Sequence, residues 1–234
     1  MQINYPIENI IGDVVEACKD MGSISIVETA TGIYTCTIPE YELLLDNHYV
    51  TISGTTNFNG SFLISNLTDT TFTINTTAGF ETEIGTYTAE FPYYTFEKWT
   101  GLTNILQDLT QNITTQPKRF PRLFLQLDIS ERYIKSYLYE ANNINLFFVI
   151  NSEQNKKSDW RLENTMEYLM KFYRLFYQNL KSSKYTHLYF EIEHTRIKHY
   201  YNFTQKTDQN VINSLVDVIE MNIPTLLIDN YTCN

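Results

Sequence analysis

Between Ser158 and Ser182 apolar residues recur at spacings of four and three: Leu162, Met166, Leu169, Tyr173, Phe176 and Leu180. That is the 3.6-residue period, and it predicts one long helix with all six on a single stripe, widened by Phe172 and Leu175. A stripe this broad needs a broad partner, and a sheet face supplies one. Two flanking runs fit: NINLFFVI (143–150), and THLYFEIE (186–193), where Leu188, Phe190 and Ile192 alternate with polar residues. The unit reads as strand, helix, strand.

Pro6 opens a further helix to about Met21, with Ile7, Ile10, Ile11, Val14, Val15 and Cys18 on its apolar side and Gly22 as its stop. The period then drops to two. Six short runs (SISIVETA, GIYTCTIP, HYVTISG, SFLISNL, TTFTINT and TYTAEF) follow one another with glycines at turn-like intervals. Strands this short are unstable alone, so they must close into a small barrel or sandwich. Beyond Pro92 helical spacing returns over 97–112. Residues 122–129 read as a strand, Asn142–Asn143 as a turn, and 144–150 as a strand buried on both faces. HTRIKHYYNF (194–203) reads as a bent continuation of the preceding strand. Helix and strand patterns compete over 211–221, and Pro224 sends any strand at 225–228 to an edge. The expected architecture is α+β. A mixed sheet packed against helices is built from residues 1–22 and 93–234, and an all-β small barrel or sandwich module is inserted at 23–92.

Charge narrows the function. The formal net charge is −10, and the one short basic cluster is Lys118, Arg119 and Arg122, so a phosphate-gripping protein is not expected. Three cysteines, Cys18, Cys36 and Cys233, have neither metal-ligand nor redox spacing, and a reduced compartment is the simpler inference. The N-terminal MQINYPIENI lacks the pattern of a signal peptide, no run reaches a membrane span, and the Asn-x-Ser/Thr triplets read as chance in an Asn- and Thr-rich chain. His187, Glu191, Glu193, His194 and His199 are ligand types, but on a predicted strand they read as a solvent-facing side. Asp128 with Glu131, and Glu81 with Glu83, read as surface carboxylates. No G-x-S-x-G, phosphate-cradling loop or Cys–His signature is present, so no catalytic residue, cofactor or metal is expected. Trp99 and Trp160 stand at predicted helix starts and are candidate interface anchors.

Two stretches resemble known families. Residues 48–74 (HYVTISGTTNFNGSFLISNLTDTTFTI) resemble a small β-module of bacteriophage structural proteins, with Val50, Ile52, Ser53, Gly54, Asn59, Gly60, Phe62, Ile64, Thr71, Phe72 and Ile74 on the module's positions. His48 departs from its acidic lead-in. The rest of the chain resembles tail-terminator-like and neck-ring proteins of tailed phages through FPRLFLQLDI, NLFFVINSEQNKKSDW with the helix after it, and the basic-aromatic run from His194 to Tyr201. The resemblance implies a structural virion protein of the head-to-tail connector. It would form a homo-oligomeric ring of six or twelve copies between portal, other neck-ring proteins and tail, without membrane contact. DNA would pass through the channel without specific binding, as a net acidic chain permits. Candidate interface residues are Trp99, Trp160, His194, Tyr200 and Tyr201. A different class is a binding protein whose β-module recognises a glycan or host surface, and a third is an enzyme of unrecognised type.

Overall fold

The computed structural model describes residues 6–77, 82–98, 100–101, 104–105, 120–135, 138–151, 158–187, 196–200, 205–207, 210–212 and 216–229. The chain is an α+β protein of two compact units. One is Lys19–Pro92, and the other joins Met1–Cys18 to Tyr93–Asn234.

Helix α1 (Ile7–Glu16) buries Ile7, Ile10, Ile11, Val14 and Val15. It ends well before Met21. The Asn179 side-chain amide donates to the Ala17 carbonyl (3.1 Å), which satisfies an acceptor of the helix end from a distant helix. Gly22 is therefore no helix stop. It lies inside the first strand, where a Cβ would meet Pro39 at 3.1 Å.

Six strands form the first unit: β1 (Met21–Ala30), β2 (Ile33–Thr37), β3 (Tyr49–Ser53), β4 (Gly60–Ser65), β5 (Thr71–Asn75) and β6 (Glu83–Ala89). They close in the order β1-β2-β5-β4-β3-β6, so the unit is a barrel. Because β1 begins at Met21, opposite Thr88, the unit starts at Lys19 rather than at Ser23. Ile24, Ile26, Tyr34, Cys36, Val50, Ile52, Ile64, Phe72, Ile74 and Tyr87 fill the interior, with Ser and Thr at most of the alternating outward positions. Closure satisfies both edges of every short strand, which an open sheet of this size would leave bare. Phe58, from the β3–β4 connection, is fully buried and meets Tyr34 edge to face at 4.8 Å.

The second unit holds a seven-stranded sheet. Its strands are β7 (Tyr93–Glu97), β8 (Arg122–Gln126), β9 (Ser130–Lys135), β10 (Leu138–Asn151), β11 (Thr186–His187), β12 (Arg196–Tyr200) and β15 (Val216–Asp229); β13 (Gln205–Thr207) and β14 (Asn210–Ile212) pair separately. The order is β11-β15-β10-β8-β7, with β9 on β10 and β12 on β15. β7 and β8 run parallel and the other described pairs antiparallel, so the sheet is mixed. Helix α2 (Glu167–Ser182) packs on one face, where Phe148 meets Phe172, Phe176 and Tyr173 at 5.0, 5.4 and 5.9 Å. On the other face Phe120, Phe124, Val149, Val216 and Val218 form a smaller cluster.

Several expectations are corrected. Residues 93–97 form β7, ahead of the helical spacing, and helix is described only at 100–101 and 104–105 of the predicted segment. Asn142–Asn143 is no turn, because β10 pairs with β15 from Leu138–Asp229 to Asn151–Val216 in one register. The competition over 211–221 resolves as strand from Val216, buried on both faces at Val216–Ile219. Pro224 lies within β15 rather than at a sheet edge. It falls between the partners of β12 (Val218–Asn222) and those of β11 (Leu227 and Ile228), where neither strand asks for its missing N–H. Of the predicted strand 186–193 only Thr186–His187 lies within the described residues, and β12 pairs along a separate stretch of β15.

The long helix is interrupted as well. A single α-turn (Ser158–Arg161) runs into a π-helical turn (Leu162–Met166) before α2 begins. The wider turn changes the phase of everything before it. Leu162 leaves the buried stripe and is 55% exposed, while Met166, Leu169, Tyr173, Phe176 and Leu180 stay buried.

Candidate interaction surface

Of the five candidate interface residues, the structure places two. Trp160 sits in the α-turn before the π-turn, half-buried, with its carbonyl accepting from the Asn164 side-chain amide (2.8 Å). Tyr200 ends β12, with its backbone opposite Val218. Trp99, His194 and Tyr201 lie outside the described residues.

The ligand-type cluster does not converge at the positions described. His187 stands opposite Leu227 and His199 opposite Ile219. Eight strand residues separate those positions, about 26 Å at the usual rise, too far for one ion. Glu191 and Glu193 lie outside the described residues, among which no group of three His, Cys, Asp or Glu could hold a metal. Lys118 and Arg119 are also outside them. Arg122 is committed to the sheet: its guanidinium lies 5.3 Å over the Tyr93 ring and donates to the Thr95 hydroxyl, and burial lowers its pKa.

The carboxylates have structural partners. Glu81 is outside the described residues. Glu83 is buried in the barrel and accepts from the backbone amides of Thr56 (2.6 Å) and Asn57 (3.1 Å) and from the Asn57 side chain (2.6 Å). Burial alone would raise its pKa, but these donors outweigh it and hold the carboxyl below the ordinary range. It is a brace for the β3–β4 connection. Asp128 is exposed, and Glu131 accepts from the Tyr133 hydroxyl at 3.2 Å. Glu8 and Glu131 line a hollow of about 430 Å³ with Ile7, Leu127 and Ile129. Burial, and then the charge of Glu131, keep the nearby Tyr139 hydroxyl protonated far above neutral pH.

The surface features with most content lie at the two ends of the β10–β15 ladder. At one end the π-turn is held by a buried hydrogen bond from the Thr165 hydroxyl to Asp217 Oδ2 (2.6 Å). It turns Leu162 out beside the half-buried Met170 in a shallow groove of about 310 Å³ floored by the buried Met166, and along it Lys171 pairs with Glu167 at 3.7 Å. At the other end every residue of β9 is exposed. Tyr133 stacks on Tyr139 at 5.4 Å, Arg132 pairs with Glu140 at 2.9 Å, and the pairing with β10 shifts register between Leu138 and Tyr139. Tyr133 and Ile134 are 55% and 46% exposed.

Sequence reasoning missed both features. SERYIK carries no alternation, because a strand wetted on both faces needs none. Leu162 fits the helical spacing, and only the buried polar pair Thr165–Asp217, distant in sequence, shows that the spacing is broken.

No family model, no curated protein and no solved structure matches the chain.

Proposed function

We propose that this chain is a ring-forming structural protein of a phage head-to-tail connector, with the tail-terminator-like character its sequence resembles. The observation that carries the reading is one pairing within the chain. A mixed-sheet unit bears exposed apolar side chains at its periphery (Phe96, Tyr133, Ile134 and Leu162), and a closed barrel is inserted between its first helix and its first strand. Exposed large apolar groups of this kind suit protein contacts. Contacts repeated head to tail about an axis give rings. The phage-module residues Val50, Ile52, Ile64, Phe72 and Ile74 are all interior residues of the barrel, which fits a scaffold role. A net charge of −10 fits a channel that lets DNA slide. On this reading the chain resides in the virion neck, contacts portal and tail proteins, and performs no catalysis.

Imaging particles that contain the chain tests the reading. Six or twelve copies about the particle axis at the neck are expected, and scattered single copies, or none, would end it. The binding-module reading has an observation of its own. Ile84 is 74% exposed on the barrel, opposite Ser25, with Val27 and Ile33 also exposed on neighbouring strands. Retention on host envelopes by the barrel, lost in Ile84→Asp, would favour it.

A further inference from the structure

The seven-stranded sheet breaks along one line. In β10 and β15 the break is at Asn143 and Pro224, which fall between the pairs Asn142–Thr225 and Ile144–Ile223. The strands beside them stop at the same level. β8 pairs with β10 as far as Gln126–Asn145, and β9 takes over at Ser130–Asn142. β12 pairs with Val218–Asn222 of β15, and β11 with Leu227 and Ile228. β7 lies wholly on the β8 side, against Arg122–Gln126. Among the described residues, β10 and β15 are therefore the only strands that cross the line. Both are weak there, since Pro224 has no N–H to give and Asn143, at φ 60°, leaves the strand conformation. A few such positions can absorb the backbone rotation of a hinge.

The two sides are held unequally. The larger has β7, β8, β12 and the greater part of β10 and β15, and it is buried on both faces. Phe148 meets α2 on one face, and Phe124, Val149, Val216 and Val218 are buried on the other. The smaller has β9, β11 and the remaining ends of β10 and β15. Tyr139, Ala141, Leu226 and Ile228 are buried on its one face, but Leu138, Glu140, Thr225 and Leu227 on the other are only half-buried. Every residue of β9 is exposed, and β11 adds just two residues at the opposite edge. Local stability follows buried apolar contact and protected backbone bonds, so the smaller side opens at the lower cost.

We propose that the line through Asn143 and Pro224 is a hinge, and that the smaller side opens as one unit while the larger stays closed. The moving unit carries β9 with its exposed Tyr133 and Ile134. It stays anchored beside the end of α2, where the Thr186 hydroxyl donates to the Leu180 carbonyl (2.5 Å) and the Asp229 amide to the Tyr185 carbonyl (2.9 Å). The hinge goes beyond the ring reading and does not depend on it.

Hydrogen exchange of the full chain tests it, read by NMR or by mass spectrometry of overlapping fragments. Paired amides of 138–142 and 226–229 should share one exchange rate, about tenfold or more above that of paired amides in 146–150 and 218–221. Val149→Ala then separates the sides. It weakens only the larger one, which is closed both before and after the hinge opens. Exchange at 146–150 and 218–221 should therefore speed up several-fold, and exchange at 138–142 and 226–229 should stay as in the parent. Equal rates on both sides of the line in the parent overturn the hinge. So do rates graded inward from the edges of the smaller side, which would be fraying, and a Val149→Ala variant that speeds both sides together.

Discussion

Asn143 stands opposite Pro224 in the β10–β15 ladder, between the register pairs Asn142–Thr225 and Ile144–Ile223, and the burial phase of both strands reverses there. On β10 the buried positions run Ile144, Leu146, Phe148 on one side of Asn143 and Ala141, Tyr139 on the other; on β15 they run Ile219, Met221, Ile223 and then Leu226, Ile228. Asn143 has φ 60°, in the left-handed region that Asn tolerates better than most residues. Side-chain hydrogen bonds flank the site, from Thr225 to Asn142 (2.7 Å) and from Asn222 to Asn145 (2.6 Å). One odd pair thus keeps apolar residues against the helices along a ladder of fourteen residues per strand.

Asn143→Val is therefore expected to destabilise the protein although Val is the better strand former. A β-branched residue at positive φ costs about 1–2 kcal/mol. Asn143→Gly should stay within about 0.5 kcal/mol, since glycine accepts the same φ. Urea denaturation of both variants measures the difference. A Val variant as stable as the parent would mean that the reversal does not depend on this backbone conformation.

Core truncations separate the true helix stripe from the apparent one. Phe176 and Leu169 are fully buried, and Phe176→Ala or Leu169→Ala should each cost about 2–5 kcal/mol. Leu162→Ala, on the same apparent stripe, should cost no more than about 0.5 kcal/mol. Equal losses at Leu162 and Leu169 would contradict the exposure of the π-turn.

What was legible follows from how many faces each element buries. The barrel strands bury one side and wet the other, so period two is plain, and Ser or Thr at most outward positions keeps it clean. α2 was legible for the same reason at period 3.6. At Val216–Ile219 the strand is buried on both sides, and Asp217 interrupts the run, so period could not decide. β9 buries neither side and left no trace. YYTFE at β7 is short and without alternation, though Tyr94 packs on Gly12 of α1, where an added Cβ would come within 3.3 Å of its ring. The interaction surface was less legible than the fold, because it depends on Leu162 being turned out by a contact to a residue far along the chain.

Acid should loosen the barrel through Glu83. Its folded pKa is lowered, so its stabilising contribution is present above the ordinary carboxylate pKa and is lost as pH falls from that value through the folded one. Asp20 works in the other direction. Burial raises its pKa despite the amides of Glu42 and Leu43, so its contribution improves as pH falls. Glu83→Gln isolates the first effect: the variant should be less stable than the parent at neutral pH, and the gap should close in acid. Thermal melts across that range measure it, and a constant gap would show that the brace does not depend on charge.

The last expectation concerns the cause of Leu162's exposure. A π-turn is an α-helix with one extra residue in a turn, often kept where a helix presents a functional group. Here the extra residue lies upstream of Thr165, whose hydroxyl bond to Asp217 fixes the helix from that point on. Deleting Glu163 removes that extra residue, so the turn should close as α-helix with α2 undisturbed and residue 162 still off the buried stripe, now three residues before Met166. In a Cys233→Ser background, Leu162→Cys should therefore react with a maleimide at similar rates with and without Glu163, and the protein should keep a single cooperative melt, since Met166, Leu169 and Phe176 hold their places. Labelling that slows sharply once Glu163 is removed would show that the two flanks do not keep their register across the π-turn.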